Sequence, residues 1–123
     1  MMLKSFRAGA ILGLGLLTVT ALAGPALAFG SLALSDDGAT GWSHNYSSKG
    51  SADEEALEQC GADCRIVVQY WNGCGAYAAD GDGTDSASGW GTGTSRRAAE
   101  DKAVSECTDA GGGTCDVKVW GCE

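Results

Sequence analysis

The chain has 123 residues, a net charge of −8, six cysteines and a single histidine. That length holds one small domain. The acidic balance repels phosphate backbones and argues against nucleic acid as a partner, and one histidine leaves little for base catalysis.

The first residues read as a targeting segment. Lys4 and Arg7 form a basic start, residues 8–24 are an apolar run, Pro25 breaks it, and Ala26-Leu27-Ala28 supplies the small residues that a signal peptidase requires. The expectation is a signal peptide over 1–28, cleaved after Ala28, and a membrane contact that ends with cleavage. The run is short and glycine-containing for a full span. All 16 acidic residues lie beyond it, so the remaining domain, 29–123, is more acidic than the whole. All six cysteines lie there too. In a short exported chain an even count reads as a disulfide framework, because the compartment is oxidising and a small core is weak alone.

Residues 29–35 read as a strand, Asp36-Asp37-Gly38 as a tight turn, and 41–47 as the returning strand. Residues 51–60 read as a helix. Ser51 and Glu54 suit a capping box, and Ala52, Ala56, Leu57 and Cys60 form its apolar stripe. Gly61 suits its end. Residues 64–71 form a third strand. Simple alternation sorts Cys64, Ile66, Val68 and Tyr70 beneath the helix, with Arg65, Val67, Gln69 and Trp71 on the wetter face.

The second half repeats this order. Residues 76–79 and 89–93 read as strands around a polar loop, Ser95 caps a helix that ends at Cys107, and 115–120 is the last strand. Trp42 matches Trp90. Trp71 and Trp120, each just before a Gly-Cys pair, also match. The expected fold is therefore α+β: tandem strand-strand-helix-strand units over 29–74 and 75–122, related by a pseudo-twofold, with mostly antiparallel sheet, two helices and disulfides.

The repeat suggests a disulfide map. Cys60 and Cys107 each end a helix on its apolar stripe. Cys64 and Cys115 each begin the following strand. Bridges Cys60–Cys64 and Cys107–Cys115 would staple each helix to its own strand. Cys74 and Cys122 are then left to pair across the pseudo-twofold and tie the halves; Cys60–Cys107 is the main competing linkage.

The GWS and GWG motifs at Trp42 and Trp90, the alanine-rich helices ending in Cys60 and Cys107, and the ending CDVKVWGC resemble the DUF4189 family of small exported bacterial proteins. The resemblance covers nearly all of 29–123. It implies export, disulfides and a compact domain. The family has no assigned function, so it brings no catalytic residues. Two features depart from it: the acidic balance and the aspartate-rich loop over 80–85.

Three constellations are candidates for chemistry. His44, beside Ser43 and Ser47, is the one possible base, but neighbours on a strand face opposite ways, so it reads as a surface histidine packed on Trp42 or Tyr46. Asp80, Asp82 and Asp85 alternate with glycines as in cation loops, yet no glutamate closes the loop, and the first half has a plain turn in its place. Trp42 and Trp90, flanked by small residues, are expected in the core. Trp71 and Trp120 are expected on an exposed face, as a partner surface. The leading expectation is an exported, periplasmic or secreted, non-enzymatic module that binds a protein partner and needs no cofactor. A calcium- or ligand-binding module built on Asp80, Asp82 and Asp85 is second, and a hydrolase is third.

Overall fold

The structure is a computed structural model that describes residues 28–81 and 87–123. The expected signal peptide, apart from Ala28, lies outside these residues, as do Asp82 and Asp85. The first unit is β1 (Phe29–Leu34), β2 (Thr40–Tyr46), α1 (Lys49–Cys60) and β3 (Arg65–Trp71). The second is β4 (Cys74–Ala79), β5 (Ser88–Gly93), α2 (Arg96–Asp109) and β6 (Asp116–Cys122). The expected order is present twice, with element ends displaced by up to two residues.

Each unit forms one antiparallel three-stranded sheet, in the orders β2-β1-β3 and β5-β4-β6. The sheets meet face to face through Leu32, Leu34, Val68 and Tyr70 on one side and Tyr77, Ala79 and Val119 on the other. The helices cover the outer faces. On the second sheet, Cys74, Ala76 and Ala78 pack against Ala99, Ala103 and Cys107 of α2. On the first, Ala52 and Ala56 of α1 are fully buried, and the Ser31 hydroxyl donates to Asp53. The layers therefore run helix, sheet, sheet, helix. The central strands β1 and β4 are covered on both faces, which is why they read FGSLAL and CGAYAA, small and apolar almost throughout.

Both third strands carry the same irregularity. Their register against the central strand slips by one residue, at Val67 opposite Leu32/Ala33 and at Lys118 opposite Tyr77/Ala78. This extra residue is a β-bulge, and it overturns the sorting by simple alternation. Val67 packs with the cluster between the sheets, while Val117 packs beneath α2. The face that holds Val68 and Tyr70 is buried against the other sheet, not under the helix. Gln69 lies on the helix side, where its amide donates to both carboxylate oxygens of Asp53, at 3.1 and 2.9 Å.

The helix starts follow local hydrogen bonding. α1 is capped by Ser48, whose hydroxyl accepts from Ser51 N at 3.1 Å. The expected capping box at Ser51 is thus corrected. Ser48 is extended, with φ −145° and ψ 157°, and its hydroxyl takes the amide of Ser51 itself, so the helix already begins at Lys49 and Ser51 lies inside it. Ser95 caps α2 as expected, accepting from Ala98 N at 3.1 Å. Gly61 ends α1 with φ at 119°, its N–H donating to Leu57 O.

Three disulfides join Cys60 to Cys64, Cys107 to Cys115 and Cys74 to Cys122, the pairing that the repeat suggests. The role expected for the third is corrected. Cys74 is the first residue of β4 and stands opposite Cys122 of β6, so the bridge lies within the second sheet and does not tie the halves.

Candidate functional site

The glycine-tryptophan motifs solve a packing problem. A side chain carbon on Gly41 would collide with the Ala56 carbonyl and with Cys60 of α1. One on Gly89 or Gly91 would collide with the backbone of α2 near Cys107 or Ala99. Ser43, two residues after Gly41, donates its hydroxyl to Ala52 O of α1 at 2.7 Å. These small residues let each helix backbone lie directly on its edge strand. The residues between them must then point the other way. Trp42 and Trp90 do so, and are 45% and 55% exposed. Their expected burial in the core is corrected: β2 and β5 are edge strands, and the face opposite the helix runs past the cover of the facing sheet.

Trp71 is 57% exposed and Trp120 39%. Both are exposed, but they are not equivalents. In the ladders, Ser31 stands opposite Gln69 and Ala76 opposite Trp120, while Phe29 stands opposite Trp71 and Cys74 opposite Cys122. Leu32 and Tyr77 are matching positions, since they face Trp42 and Trp90. Trp120 therefore matches Gln69, and Trp71 matches Cys122. The similar endings Trp-Asn-Gly-Cys and Trp-Gly-Cys disguise this offset. Trp120 also parts from Lys118 because of the bulge. Its ring lies under Arg96, the first residue of α2, whose guanidinium carbon is 3.8 Å from the ring centroid. Arg96 donates in turn to Glu100 at 2.9 Å.

Two grooves result. The first, about 470 Å³, lies between Trp42 and His44 of β2 and residues 118–122 of β6. The second lies where Trp90 of β5 overhangs β3, and is divided into spaces of about 320 and 300 Å³. Trp71, Gln69 and Lys49 line the larger of these. His44 stacks on Trp42, with centroids 4.9 Å apart and planes 14° from parallel. Ser43, on the opposite face, is buried and engaged with α1. His44 and Ser43 thus form no nucleophile-base pair.

Asp80 is already occupied. Its carboxylate accepts from Gly113 N at 2.8 Å and fastens the glycine-rich turn after α2. Among the described residues no group of three or more His, Cys, Asp or Glu side chains could hold a metal ion.

The last residue binds the seam between the units. Glu123 N donates to Gly73 O at 2.7 Å, and its carboxylate accepts from Asn45 N at 2.6 Å. Asn45 holds φ at 65°. Nearby, the Tyr70 hydroxyl donates to Ser43 O at 3.0 Å. Burial, and secondarily the charge of Glu123, push the Tyr70 pKa above its ordinary value. Gly30 leaves room for this convergence, since a side chain there would strike Tyr70, Glu123 and Ser43 O.

No sequence signal placed Lys118 or the free side of β6 in a site. The alternation of glycine with tryptophan did carry information about Trp42 and Trp90, because tight packing on the glycine side forces the ring outward.

A family model described as a domain of unknown function, DUF4189, matches residues 29–122. The uncharacterized protein Rv1813c of Mycobacterium tuberculosis is 38% identical over 80 residues, which are 65% of this chain and 53% of that protein. The chain thus matches about half the length of that relative. Protein Rv1269c of the same organism is 35% identical over 95 residues, 76% of this chain and 68% of its own length. The NMR structure of Rv1813c from Mycobacterium tuberculosis aligns with a TM-score of 0.59 at 28% identity, covering 95% of this chain and 99% of that one. With nearly all of the described domain matched, the chain belongs to the DUF4189 family.

Proposed function

We propose that this is an exported, non-enzymatic domain that binds a protein partner through its tryptophan grooves. The observation that carries the reading is the exposure of all four tryptophans, gathered along two grooves. Tryptophan is among the costliest side chains to leave in water, and it dominates the centres of protein interfaces. The absence of enzymatic activity is supported by His44 stacking on an exposed ring while Ser43 serves α1. Export to the periplasm or beyond is supported by the Lys4 to Ala28 pattern and by three disulfides.

The test uses the oxidised domain, immobilised, with culture fluid and envelope extract of the producing cells. The expected result is a specific protein retained by the wild type and lost with Trp42→Ala plus Trp120→Ala, at unchanged circular dichroism. Retention indifferent to all four tryptophans, or none at all, would overturn the reading. Mass spectrometry of the exported chain checks for an amino terminus at Phe29.

A further inference from the structure

We propose that the free side of β6 accepts an extended, acidic segment of the partner protein as an added strand; this rests on the protein-binding reading above and specifies its mode.

The argument begins with which residues line the first groove. A strand seen from one face presents alternate residues. This groove is lined by five in succession, Lys118, Val119, Trp120, Gly121 and Cys122. A consecutive run is what a groove touches when it follows the side of a strand, where amide and carbonyl groups point. Among the described residues β6 forms a hydrogen-bonded ladder with β4 alone, and β2 of the facing sheet stands across the groove without pairing to it. The bulge at Lys118 marks one end of the run and Cys122, held by its disulfide, marks the other. A rigid side of this kind is a template for strand addition, in which main-chain hydrogen bonds supply affinity and alternate side chains supply specificity.

The side walls state what those side chains should be. Trp42, backed by His44, stands on one wall and Trp120, backed by Arg96, on the other. An apolar or aromatic residue of the added segment fits between them. Lys118 opens into the same groove and has no ion pair among the described residues, whereas Arg96 is matched by Glu100. An unmatched cation in an aromatic groove calls for a carboxylate on the partner, a local pairing made against the chain's overall charge of −8. The second groove shares part of this combination, since β3 is also an edge strand and residues 66–71, Trp71 among them, line it beside Trp90 and Lys49. There, however, the run is divided between two spaces, and the cation stands on α1 and not on the strand. Val67 occupies the bulge position of Lys118, and the ring of Tyr70, in the position of Gly121, is buried between the sheets.

The experiment pans a displayed library of random linear nonapeptides against the oxidised domain. Enriched sequences are resynthesised, and their effect on the backbone amides is followed by NMR. The expected hits alternate aromatic or branched residues with Asp or Glu, and they shift the amides of residues 118–122. Methylation of alternate peptide nitrogens should weaken binding at least tenfold, as should Lys118→Glu in the domain, while methylation at the intervening positions leaves it unchanged. Hits that shift only the Trp90 and Trp71 region would overturn the proposal, as would indifference to both nitrogen methylation and Lys118→Glu. So would a library with no enrichment, or self-association that occupies residues 118–122 in the peptide's place. If a partner from the capture experiment needs Trp42 and Trp120 but ignores Lys118→Glu and competes with no peptide, strand addition fails while protein binding stands. If nothing is captured and nothing enriches, both fall.

Discussion

Cys74 and Cys122 face each other across the β4–β6 ladder with alpha carbons 4.0 Å apart, so their bridge closes the second sheet onto itself. The two cysteines are 48 residues apart in sequence, against 4 for Cys60–Cys64. Loop-closure entropy assigns about 4 kcal/mol to the long bridge and about 2 kcal/mol to the short one. Urea unfolding of Cys74→Ala/Cys122→Ala and of Cys60→Ala/Cys64→Ala should show the larger loss in the first pair. An equal or reversed order would mean that the long bridge constrains the unfolded chain less than its span implies.

Gly41 and Gly89 should tolerate no side chain. Gly41→Ala and Gly89→Ala each push a methyl group into helix backbone and should cost about 1–3 kcal/mol. Gly50, inside α1 with open space around it, is the control. Gly50→Ala should be neutral or stabilise by up to about 1 kcal/mol through helix propensity. Thermal unfolding of the three variants separates packing from propensity, and a stabilised Gly41→Ala would contradict the close approach of α1 to β2.

Removing the caps offers a local check on the helix starts. Ser48→Ala and Ser95→Ala should each cost about 1 kcal/mol, while Ser51→Ala costs a few tenths. The comparison is sharp because Ser51 with Glu54 makes the better capping motif on sequence alone. Ser51→Ala proving as costly as Ser48→Ala, by chemical denaturation, would restore the capping box.

Tyr70 predicts alkaline sensitivity. Its folded pKa lies above the ordinary value of 10.0, so the folded state holds its proton more tightly than the unfolded state. That contribution is fully present below pH 10 and is lost as pH rises from there through the folded pKa. Tyr70→Phe should flatten this alkaline decline, while losing about 1 kcal/mol at neutral pH with the bond to Ser43 O. Tyrosinate absorbance against pH follows the ionisation directly, and a wild-type group titrating at its ordinary value would contradict the burial.

Much of the architecture was legible because the chain states it twice. Helix-ending Cys60 and Cys107 and strand-opening Cys64 and Cys115 fixed two bridges, and the third followed. The facing of the third strands was not legible, because a bulge at Val67 or Lys118 leaves no mark on composition and yet reverses every neighbour beyond it. The tryptophans misled for a different reason. Equivalence of Trp42 and Trp90 shows a shared role, but an edge strand offers a repeated outward position as readily as an inward one. The match of Trp71 to Trp120 relied on a Gly-Cys pair whose cysteine opens β4 in one case and closes β6 in the other. The groove beside β6 depends on how the sheets stack, a relation between units that neither repeat encodes alone.

Every strand pairing lies within one half of the chain, whereas the buried cluster between the sheets draws on both. During synthesis, the first sheet has all its strands once Trp71 emerges, but Leu32, Leu34, Val68 and Tyr70 have nothing to cover them. Tyr77 and Ala79 come soon after, and Val119 only with β6. A half-made chain thus carries a finished sheet with one oily face turned to water, the state most prone to sticking to its neighbours. How long that face stays open is set by the chain order of β4 and β6, not by the stability of the finished domain.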